Sequence, residues 1–499
     1  MFHSDRSFDA KALKKTLEDA GYSQTALAET LGITSPSERQ DPEVVYRRVR
    51  ADSPYHVLVR LFWLGRTVSE STVRKMLPGL DVPALEAAGL LQHRDGLVRS
   101  HAILAPYYDL LLASDFGPEI KGQLDADHVL GVGAASVTLA NLTVRREVGT
   151  ALDLGCGAGI QAFLAARHAG RVVGTDTNPR ALSFAAFNAR INSIDRSEWR
   201  QGSLYEPICD EQFDLIVANP PFVISPESRF IFRDSSMAGD AISERVIAGA
   251  GARLAEGGFA CILFNWHHRS EEDWDSRPRS WVGDTGCDAL VVRFKSTDPL
   301  AYAADWLRTT VGRDCPEYGQ HLDEWMAYYE DMGIERISAG AVIMRRRSGP
   351  GRWFRSHAIG AASHTGFCGG QIERIFAAED LLSTLDNAAL LEQRLVLDKD
   401  HLFQQQLKAE EGRWGIRSQR LSASVGLPFA GNMDSFIASL LAGCNGRRTL
   451  RELVCEVADR MQTDSETVMS DCLSVVRKLM QSGFLRTADD VGERPEPKS

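Results

Sequence analysis

Between about residues 145 and 350, short runs rich in Val, Ile and Leu alternate with helical stretches. The runs are apolar on both faces, which is typical of strands in a largely parallel sheet that helices cover on both sides. This pattern predicts an α/β domain at the centre of the chain. The expected strands lie near residues 150–154, 171–176, 198–201, 213–218, 258–264, 288–294 and 336–346.

The segments on either side of this domain have a different pattern. Near the N-terminus, apolar helical stretches lead to two short apolar runs joined at Asp95-Gly96, a pair typical of a tight hairpin. Residues 401–424 predict a second hairpin, which turns at Glu411-Gly412. Residues 434–486 form a helical pattern that ends, like the N-terminal one, in a helix, a glycine and an apolar strand start. We therefore expect a winged-helix-like module at each end.

The length of 499 residues is enough for about three domains. The interval 299–332, between the last two expected strands, is longer than an ordinary connection and predicts an insertion of one or two helices. We expect an N-terminal module, the α/β domain with its insertion, a connecting region with the hairpin, a C-terminal module and a disordered tail. Their expected boundaries are 1–115, 116–350, 351–430, 431–488 and 489–499.

Charge and cysteine content exclude several classes of protein. Lys and Arg number 56 and Asp and Glu 67, so the net charge is −11, which disfavours sequence-independent binding of nucleic acid. The nine cysteines are scattered with no C-x-x-C pair, so neither a zinc site nor a disulfide framework is expected. The N-terminus lacks the apolar core of a signal peptide, and no apolar run approaches the roughly 18 residues that span a bilayer. We expect a cytoplasmic protein that uses no metal and does not enter a membrane.

The sharpest local motif is ALDLGCGAGI, at residues 151–160. A buried strand ends at Asp153, and Gly155, Gly157 and Gly159 follow it, which lets a ligand approach the backbone where a Cβ would clash. The spacing differs from the G-x-G-x-x-G of dinucleotide loops, and no Gly-Lys-Ser/Thr follows. Cys156 stands where only a small residue is required, and no His/Asp pattern makes it a nucleophile.

Two later strand ends offer polar groups to the same ligand. The second strand ends at Asp176, followed by Thr177, and a carboxylate there can accept hydrogen bonds from both hydroxyls of a ribose. The third strand is followed by Gly202 and Ser203, where backbone and a short polar side chain would lie along the edge of an adenine. The pattern therefore favours a nucleoside-containing ligand.

A fourth motif, Asn219-Pro220-Pro221-Phe222, comes directly after an apolar strand. The prolines fix the backbone and remove two N–H donors, which exposes the side-chain oxygen of Asn219 and the carbonyl of Pro220 as acceptors. Two adjacent acceptors suit an NH2 group, and Phe222 offers a flat face for a planar one. Planar amides and the exocyclic amines of bases have both features.

Together these motifs resemble those of the class I S-adenosylmethionine-dependent methyltransferases, and more narrowly the N-methyltransferases with an Asn-Pro-Pro-Tyr/Phe motif. That group includes release-factor glutamine, ribosomal RNA guanine-N2 and adenine-N6 enzymes. The resemblance covers roughly residues 125–350 and implies a Rossmann-like seven-strand sheet with an antiparallel last strand. The whole arrangement also looks like a family of actinobacterial methyltransferases of similar length.

The resemblance implies S-adenosyl-L-methionine as cofactor and assigns residues to its parts. The glycine loop with Asp153 would surround the methionine part, Asp176 would bind the ribose, and Ser203 would lie near the adenine, where many relatives carry Asp. The stretch 130–142 is similar to a segment that covers the cofactor, with Ser136 as a candidate contact. Asn219 and Pro220 would orient the acceptor NH2. Because its proton can leave after transfer, no strong general base is required.

The substrate is less constrained than the reaction. Pro221, Arg233, Asp234 and His267 are candidate substrate contacts, because they follow strands at the ligand-bearing edge of the sheet. A protein or peptide Asn/Gln side chain is favoured, since neither flanking module offers a basic recognition helix. A base of RNA or DNA is the alternative, supported by five arginines in residues 344–355, and a small amine or amide metabolite is a further one. A non-catalytic sensor of the cofactor would not need the intact Asn-Pro-Pro-Phe motif.

Overall fold

The computed structural model describes residues 8–32, 41–269, 274–311, 315–349, 351–359, 366–410 and 412–489. The chain divides into two compact units. The first comprises residues up to Ala140 together with Glu147–His357, and the second comprises Asn141–Arg146 and the chain from Ala358 onward. All but the first residue of the expected disordered tail lies outside the described residues.

The N-terminal part of the first unit is mainly helical around an apolar core. Its β2 and β3 pair antiparallel across Asp95-Gly96, where Gly96 has φ +72°, so the predicted hairpin is confirmed. β1, β3 and β2 form one sheet in that order, and β4 pairs with β5. The winged-helix-like assignment stays a prediction. The elements are α1 (Ala10–Asp19), α2 (Gln24–Leu31), α3 (Pro42–Arg48), α4 (Pro54–Leu58) with a π-helical turn (Val59–Trp63), β1 (Val68–Ser69), α5 (Glu70–Met76), α6 (Val82–Ala87), β2 (Leu91–Arg94), β3 (Leu97–Ser100), β4 (Ile103–Tyr107) and β5 (Leu110–Ser114).

The rest of the first unit is built on one large sheet flanked by helices, as the alternating pattern predicts. All seven expected strands are present, and the expected insertion consists of the helices α13 and α14. The elements are α7 (Pro118–Lys121), α8 (Ala134–Leu142), β6 (Val148–Leu154), α9 (Ile160–Ala165), β7 (Ala169–Asp176), α10 (Pro179–Ile191), β8 (Ser197–Gln201), β9 (Phe213–Ala218), α11 (Ala241–Arg253), β10 (Leu254–His268), α12 (Ser276–Gly283), β11 (Cys287–Thr297), α13 (Pro299–Thr310), α14 (Tyr318–Asp331), β12 (Arg336–Arg346) and β13 (Phe354–Ala358).

The sheet has eight strands in the described residues, in the order β8-β7-β6-β9-β10-β12-β11-β13, so the expected count of seven is wrong. The additional strand β13 lies at the edge beside β11. Ala289 N donates to Trp353 O at 3.0 Å, and Trp353 N donates to the Asp288 carboxylate at 3.2 Å. These bonds hold the residue before β13 against β11. Its sequence, FRSHA, is half-buried and lacks the apolar run that identified the other strands.

The strand order places the predicted motifs side by side. β6 pairs in parallel with both β7 and β9, and Leu154 is the register partner of Thr175 on one side and of Ala218 on the other. The loops that follow these three strands therefore leave the same edge of the sheet at neighbouring positions. Here the strand order reverses, which is where open α/β sheets bind ligands.

The second unit combines helices with two small sheets. β14 lies between β18 and β19, and β15, β16 and β17 form an antiparallel sheet that includes the predicted hairpin. Glu411 of its turn lies outside the described residues, and the winged-helix-like assignment of this unit stays a prediction. The elements are α15 (Gly369–Thr384), α16 (Asn387–Leu391), β14 (Arg394–Leu397), β15 (His401–Glu410), β16 (Arg413–Ala423), β17 (Ala430–Met433), α17 (Ser435–Gly443), β18 (Asn445–Thr449), α18 (Leu450–Arg460), α19 (Ser465–Gln481) and β19 (Leu485–Thr487).

Neither unit contains a described helix with the length and apolar character that crossing a bilayer demands.

Candidate functional site

A cavity of about 920 Å³ opens at the carboxyl ends of β6, β7 and β9, within the first unit. It is lined by the glycine loop, by the residues after β7 and β8, and by the start of the Asn-Pro-Pro-Phe motif. Most of the predicted site residues lie in its wall: Ser136, Asp153, Gly155, Cys156, Gly157, Asp176, Thr177, Gly202, Ser203, Asn219, Pro220, Pro221 and Asp234. Gly159, Phe222, Arg233 and His267 do not line it.

The glycine loop is shaped to leave room beside the backbone. Gly155 and Gly157 have φ +73° and +53°, and a Cβ built on either would meet nothing within 4 Å. Gly159 serves packing instead, because a Cβ there would lie 2.6 Å from the Phe163 ring. The backbone N–H groups of Gly155 and Cys156 donate to Thr175 O at 2.8 and 2.9 Å, which joins the loop to β7. The open cradle fits an elongated ligand that lies over the loop.

Asp176 links the glycine loop to the end of β7. Its Oδ2 accepts the Gly157 N–H at 2.9 Å, and its Oδ1 accepts the Asn178 N–H at 2.9 Å. Burial raises the pKa of Asp176, and the backbone hydrogen bonds from Asn178, Gly157 and Thr177 lower it in part. Gly202 N donates to Asp176 O at 3.0 Å, which brings the predicted adenine edge next to this carboxylate.

Asp153 is a second buried carboxylate under the same loop. Its Oδ2 accepts the Ala162 N–H of α9 at 2.9 Å. Burial raises its pKa to about 7, with a further contribution from the negative charge of Asp176. Two carboxylates that burial makes costly to ionise fit a cationic ligand, which would restore their charged forms. Burial and both carboxylates also raise the pKa of Cys156, so its thiol stays protonated and a nucleophilic role is disfavoured.

Asn219 stands directly after Ala218, the last residue of β9, whose register partner Leu154 precedes Gly155. It lines the cavity, and none of the described residues hydrogen-bonds its side chain. Pro220 and Pro221 line the cavity next to it. The side-chain amide of Asn219 is therefore available to a ligand, and it follows the strand next to the one that leads into the glycine loop.

Phe222 has a different environment from the one predicted. It packs against the insertion, in an apolar cluster that includes Val223, Ile224, Tyr302 and Trp325. Its proposed stacking on the acceptor stays a prediction, since its ring contributes to this cluster and not to the cavity wall.

The segment that follows Phe222 is held to the insertion by hydrogen bonds with aromatic side chains. Trp325 Nε1 donates to Glu227 Oε1 at 2.9 Å, and Gly239 N donates to the Tyr328 hydroxyl at 2.7 Å. Trp306, Thr309 and Thr310 of α13 also line the cavity. The insertion therefore forms part of the cavity wall and supports the segment that follows Phe222.

Arg233 and Asp234 form a buried ion pair with no exposed side-chain surface. Arg233 Nε donates to Asp234 Oδ1 at 2.7 Å, its Nη1 donates to Thr310 Oγ1 at 3.0 Å, and its Nη2 also bonds Glu227. The guanidinium lies over the rings of Phe230 and Trp325. Four hydrogen bonds join the guanidinium to Asp234, Thr310 and Glu227, so this arginine holds the loop. Its role as a substrate contact stays a prediction.

His267 and the arginine run lie away from the cavity. His267 Nε2 is 3.6 Å from Asp240 Oδ1, and its backbone N–H donates to the same carboxylate. Arg345 bonds Asp288, and Arg346 bonds the carbonyls of Gly251 and Thr285. Because these cations are used to join β12 to its neighbours, the run gives weaker support to a nucleic-acid substrate than the sequence indicated.

Several lining residues were not predicted. They come from the loops after β7 and β8, from the loop before α8, from the loop after Asn219 and from the insertion. They include His128, Asn178, Leu204, Phe232, Trp306 and Thr310. Among the residues that the structure describes, no group of three or more His, Cys, Asp or Glu is placed to hold a metal ion.

Residues 131–275 match the family described as methyltransferase small domain. The large sheet therefore carries a methyltransferase domain. Residues 19–101 and 373–487 match two domains of unknown function. The class to which such domains belong uses S-adenosylmethionine as methyl donor. This donor is a sulfonium cation, which agrees with the buried carboxylates of Asp153 and Asp176 in the cavity wall.

Known relatives of the methyltransferase domain include enzymes that modify glutamine. The release factor glutamine methyltransferase of Xylella fastidiosa (strain Temecula1) is 33% identical over 178 residues, which is 33% of this chain and 60% of the relative. The ribosomal protein uL3 glutamine methyltransferase of Bradyrhizobium diazoefficiens is 30% identical over 191 residues, 36% of this chain and 59% of the relative. A solved methyltransferase from Pyrococcus furiosus is 14% identical with a TM-score of 0.26, covering 41% of this chain and 78% of that one. The chain thus spans less than two thirds of the length of the two curated relatives.

Proposed function

We propose that this protein is an S-adenosylmethionine-dependent N-methyltransferase of the Asn-Pro-Pro-Phe type that methylates a glutamine side-chain amide of a protein substrate. The observation that carries the proposal is the single cavity in which the open glycine loop, Asp176 and the uncommitted Asn219 meet. In this reading Asp153 and Asp176 form the acidic floor for the cofactor, and Asp176 accepts hydrogen bonds from the ribose hydroxyls. Bound S-adenosylmethionine supplies an activated methyl group on a sulfonium.

The protein's contribution to the reaction is mainly position. Asn219 Oδ1 and the Pro220 carbonyl accept the two N–H groups of the acceptor amide, which turns its nitrogen toward the glycine loop. An amide nitrogen is a poor nucleophile because its lone pair is delocalised, so fixing both N–H groups favours the less planar geometry that methyl transfer needs. Its proton leaves to solvent once the new N–C bond has formed, and no described side chain is required as a strong base.

The choice of a protein glutamine rests on two observations. The relatives named above modify glutamine in a release factor and in a ribosomal protein. Two of the five arginines that were the best support for a nucleic-acid base, Arg345 and Arg346, bond Asp288 and the Thr285 carbonyl within the protein. A base of RNA or DNA and a small amine metabolite are therefore kept as outcomes of the experiment.

The experiment is transfer of radiolabelled methyl from S-adenosylmethionine into a bacterial extract, followed by separate protease and nuclease digestion. We expect protease alone to release the label, and amino-acid analysis to find it as N5-methylglutamine. An Asn219→Ala variant, run in parallel, reports the background of extract enzymes. Label released by nuclease alone would show that the substrate is a nucleic acid, and label only in small molecules would show that it is a metabolite. No label above the Asn219→Ala background would refute the activity.

A further inference from the structure

His128 is a buried polar residue in the cavity wall for which the reaction described above has no role. Its side chain is 3% exposed. It lies in the loop between α7 and α8 and lines the cavity together with Asp176 and Phe232. Nδ1 is buried without a hydrogen-bond partner, and no described residue bonds the other ring nitrogen.

The nearest charged group to His128 is already satisfied by other donors. Asp115 Oδ2 lies 3.8 Å from His128 Nδ1, beyond hydrogen-bond distance. The same carboxylate accepts the Val129 N–H at 2.8 Å and forms an ion pair with Arg180. Because Nδ1 is on the Asp115 side of the ring, we assign Nε2 to the ligand. Neither ring nitrogen has a partner among the described residues, and an unsatisfied buried polar group costs about 1–3 kcal/mol, so a hydrogen bond from a ligand to this ring would offset part of that cost.

The position of His128 relative to Asp176 indicates which part of the ligand it meets. Asn178 Nδ2 donates to Asp127 O at 2.9 Å, and Asn178 N donates to Asp176 Oδ1 at 2.9 Å. A single asparagine thus joins the residue before His128 to the carboxylate that we assign to the ribose. On its other side, the His128 ring meets the edge of Phe232, with centroids 5.6 Å apart.

We propose that His128 Nε2 hydrogen-bonds a ribose hydroxyl of the bound cofactor, opposite Asp176. This inference rests on the proposed function. The ring is suited to that role because burial lowers the pKa of His128, with Lys121 and Arg180 acting in the same direction and Asp115 and Asp125 opposing them. A neutral imidazole can accept from a hydroxyl, or donate to it in the other tautomer.

The test compares three proteins and three ligands by titration calorimetry. The proteins are the wild type, His128→Phe, which keeps the ring against Phe232 and loses both nitrogens, and His128→Gln, which places an amide near the position of Nε2. The ligands are S-adenosylhomocysteine and its 2′-deoxy and 3′-deoxy analogues. We expect His128→Phe to lower the affinity for S-adenosylhomocysteine about 5- to 10-fold, which is the effect of one hydrogen bond. His128→Gln should recover part of this affinity.

The analogues separate a direct contact from a structural effect. If His128 bonds one ribose hydroxyl, His128→Phe should not lower the affinity for the analogue that lacks this hydroxyl. An equal loss with all three ligands, or no loss with any, would overturn the inference. Wild-type protein that binds none of the ligands would instead refute the proposed function.

A second measurement covers the case in which His128→Phe does not fold. In wild-type protein labelled with 15N-histidine, the Nε2 resonance that is absent from His128→Gln should shift when S-adenosylhomocysteine is added. It should shift less with one of the deoxy analogues. The same shift with every ligand would count against a hydroxyl contact.

Discussion

The Tyr329 hydroxyl donates a hydrogen bond to the backbone carbonyl of Ile224 at 2.8 Å, and both groups are buried. The N–H of the same Ile224 donates to the Tyr302 hydroxyl at 3.2 Å, and Tyr302 also receives a hydrogen bond from Asn265 Nδ2 at 2.7 Å. The two inserted helices thus hold one residue through both of its backbone polar groups. Since Ile224 is five residues after Asn219, the insertion fixes the direction in which the chain leaves the site.

Removing the Tyr329 hydroxyl should loosen this support. In Tyr329→Phe the buried carbonyl of Ile224 loses its donor, so we expect the free energy of unfolding to fall by about 1–2 kcal/mol. We also expect a lower kcat with little change in cofactor affinity, because the affected segment follows Asn219 and not the glycine loop. Denaturant titration and steady-state kinetics measure the two effects.

Tyr318→Phe is the matched control, because it makes the same change on the same helix. The Tyr318 hydroxyl lies 3.5 Å from Ala304 O, inside the insertion, and forms no hydrogen bond with the described residues that follow Phe222. Equal effects of both substitutions on kcat would contradict a specific role of the Ile224 contact.

Replacing Arg233 should destabilise the protein much more than replacing a surface arginine. Arg233→Met leaves the buried Asp234 carboxylate, and the partly exposed Glu227, without their cation, and loss of one partner of a buried pair typically costs 3–5 kcal/mol. Arg229→Met is the control, since Arg229 is exposed and only lies over the Phe230 ring. We expect thermal unfolding to show a large drop for the first and a small one for the second. If the Arg233→Met protein were stable and its KM for the substrate were raised, the result would support the predicted contact between Arg233 and the substrate.

Arg233 also shows where sequence reasoning succeeds and where it fails. The strands and the glycine loop were predictable because periodicity and spacing are local properties, and all seven expected strands are present. The partner of a charged side chain is set by elements distant in the chain, and Thr310, which bonds Arg233, is 77 residues away. The surroundings of Phe222 and His267 are likewise set by distant elements, the helices of the insertion and Asp240, and their roles toward the substrate stay predictions. His128 carries no motif at all, and only the fold places it in the same cavity wall as Asp176.

Asn219 should matter for the rate of methyl transfer more than for cofactor binding. Asn219→Ala removes the acceptor for one N–H of the substrate amide, and misplacement of a reacting group by about 1 Å can cost 10²-fold. We therefore expect kcat to fall on the order of 10²-fold, with the Kd for S-adenosylhomocysteine changed less than about threefold. Asn219→Gln keeps the amide but moves it by one methylene, so a similar loss is expected if position matters. Full activity of the glutamine variant would show that polarity alone is sufficient.

Cofactor binding should be linked to proton release through Asp153. Because its pKa in the free protein is about 7, this carboxyl is largely protonated at pH 6, and a cation bound above it favours ionisation. We expect affinity for S-adenosylmethionine to rise between pH 6 and pH 8. Calorimetry at pH 7 in two buffers with different ionisation enthalpies should show release of a fraction of a proton. Asp153→Asn is the control that removes this contribution, since the ligand's own amino group titrates equally with both proteins.

The same carboxyl should make the stability of the free protein depend on pH. A pKa raised in the folded state gives a contribution that is fully present below the unfolded value near 4 and is lost as pH rises through about 7. The free energy of unfolding should therefore fall from pH 5 to pH 8 relative to Asp153→Asn, and bound S-adenosylmethionine should reduce the difference. Parallel pH profiles for the two proteins, measured by denaturant titration without ligand, would show that Asp153 is already ionised at pH 5 and would remove the basis for the linked proton release.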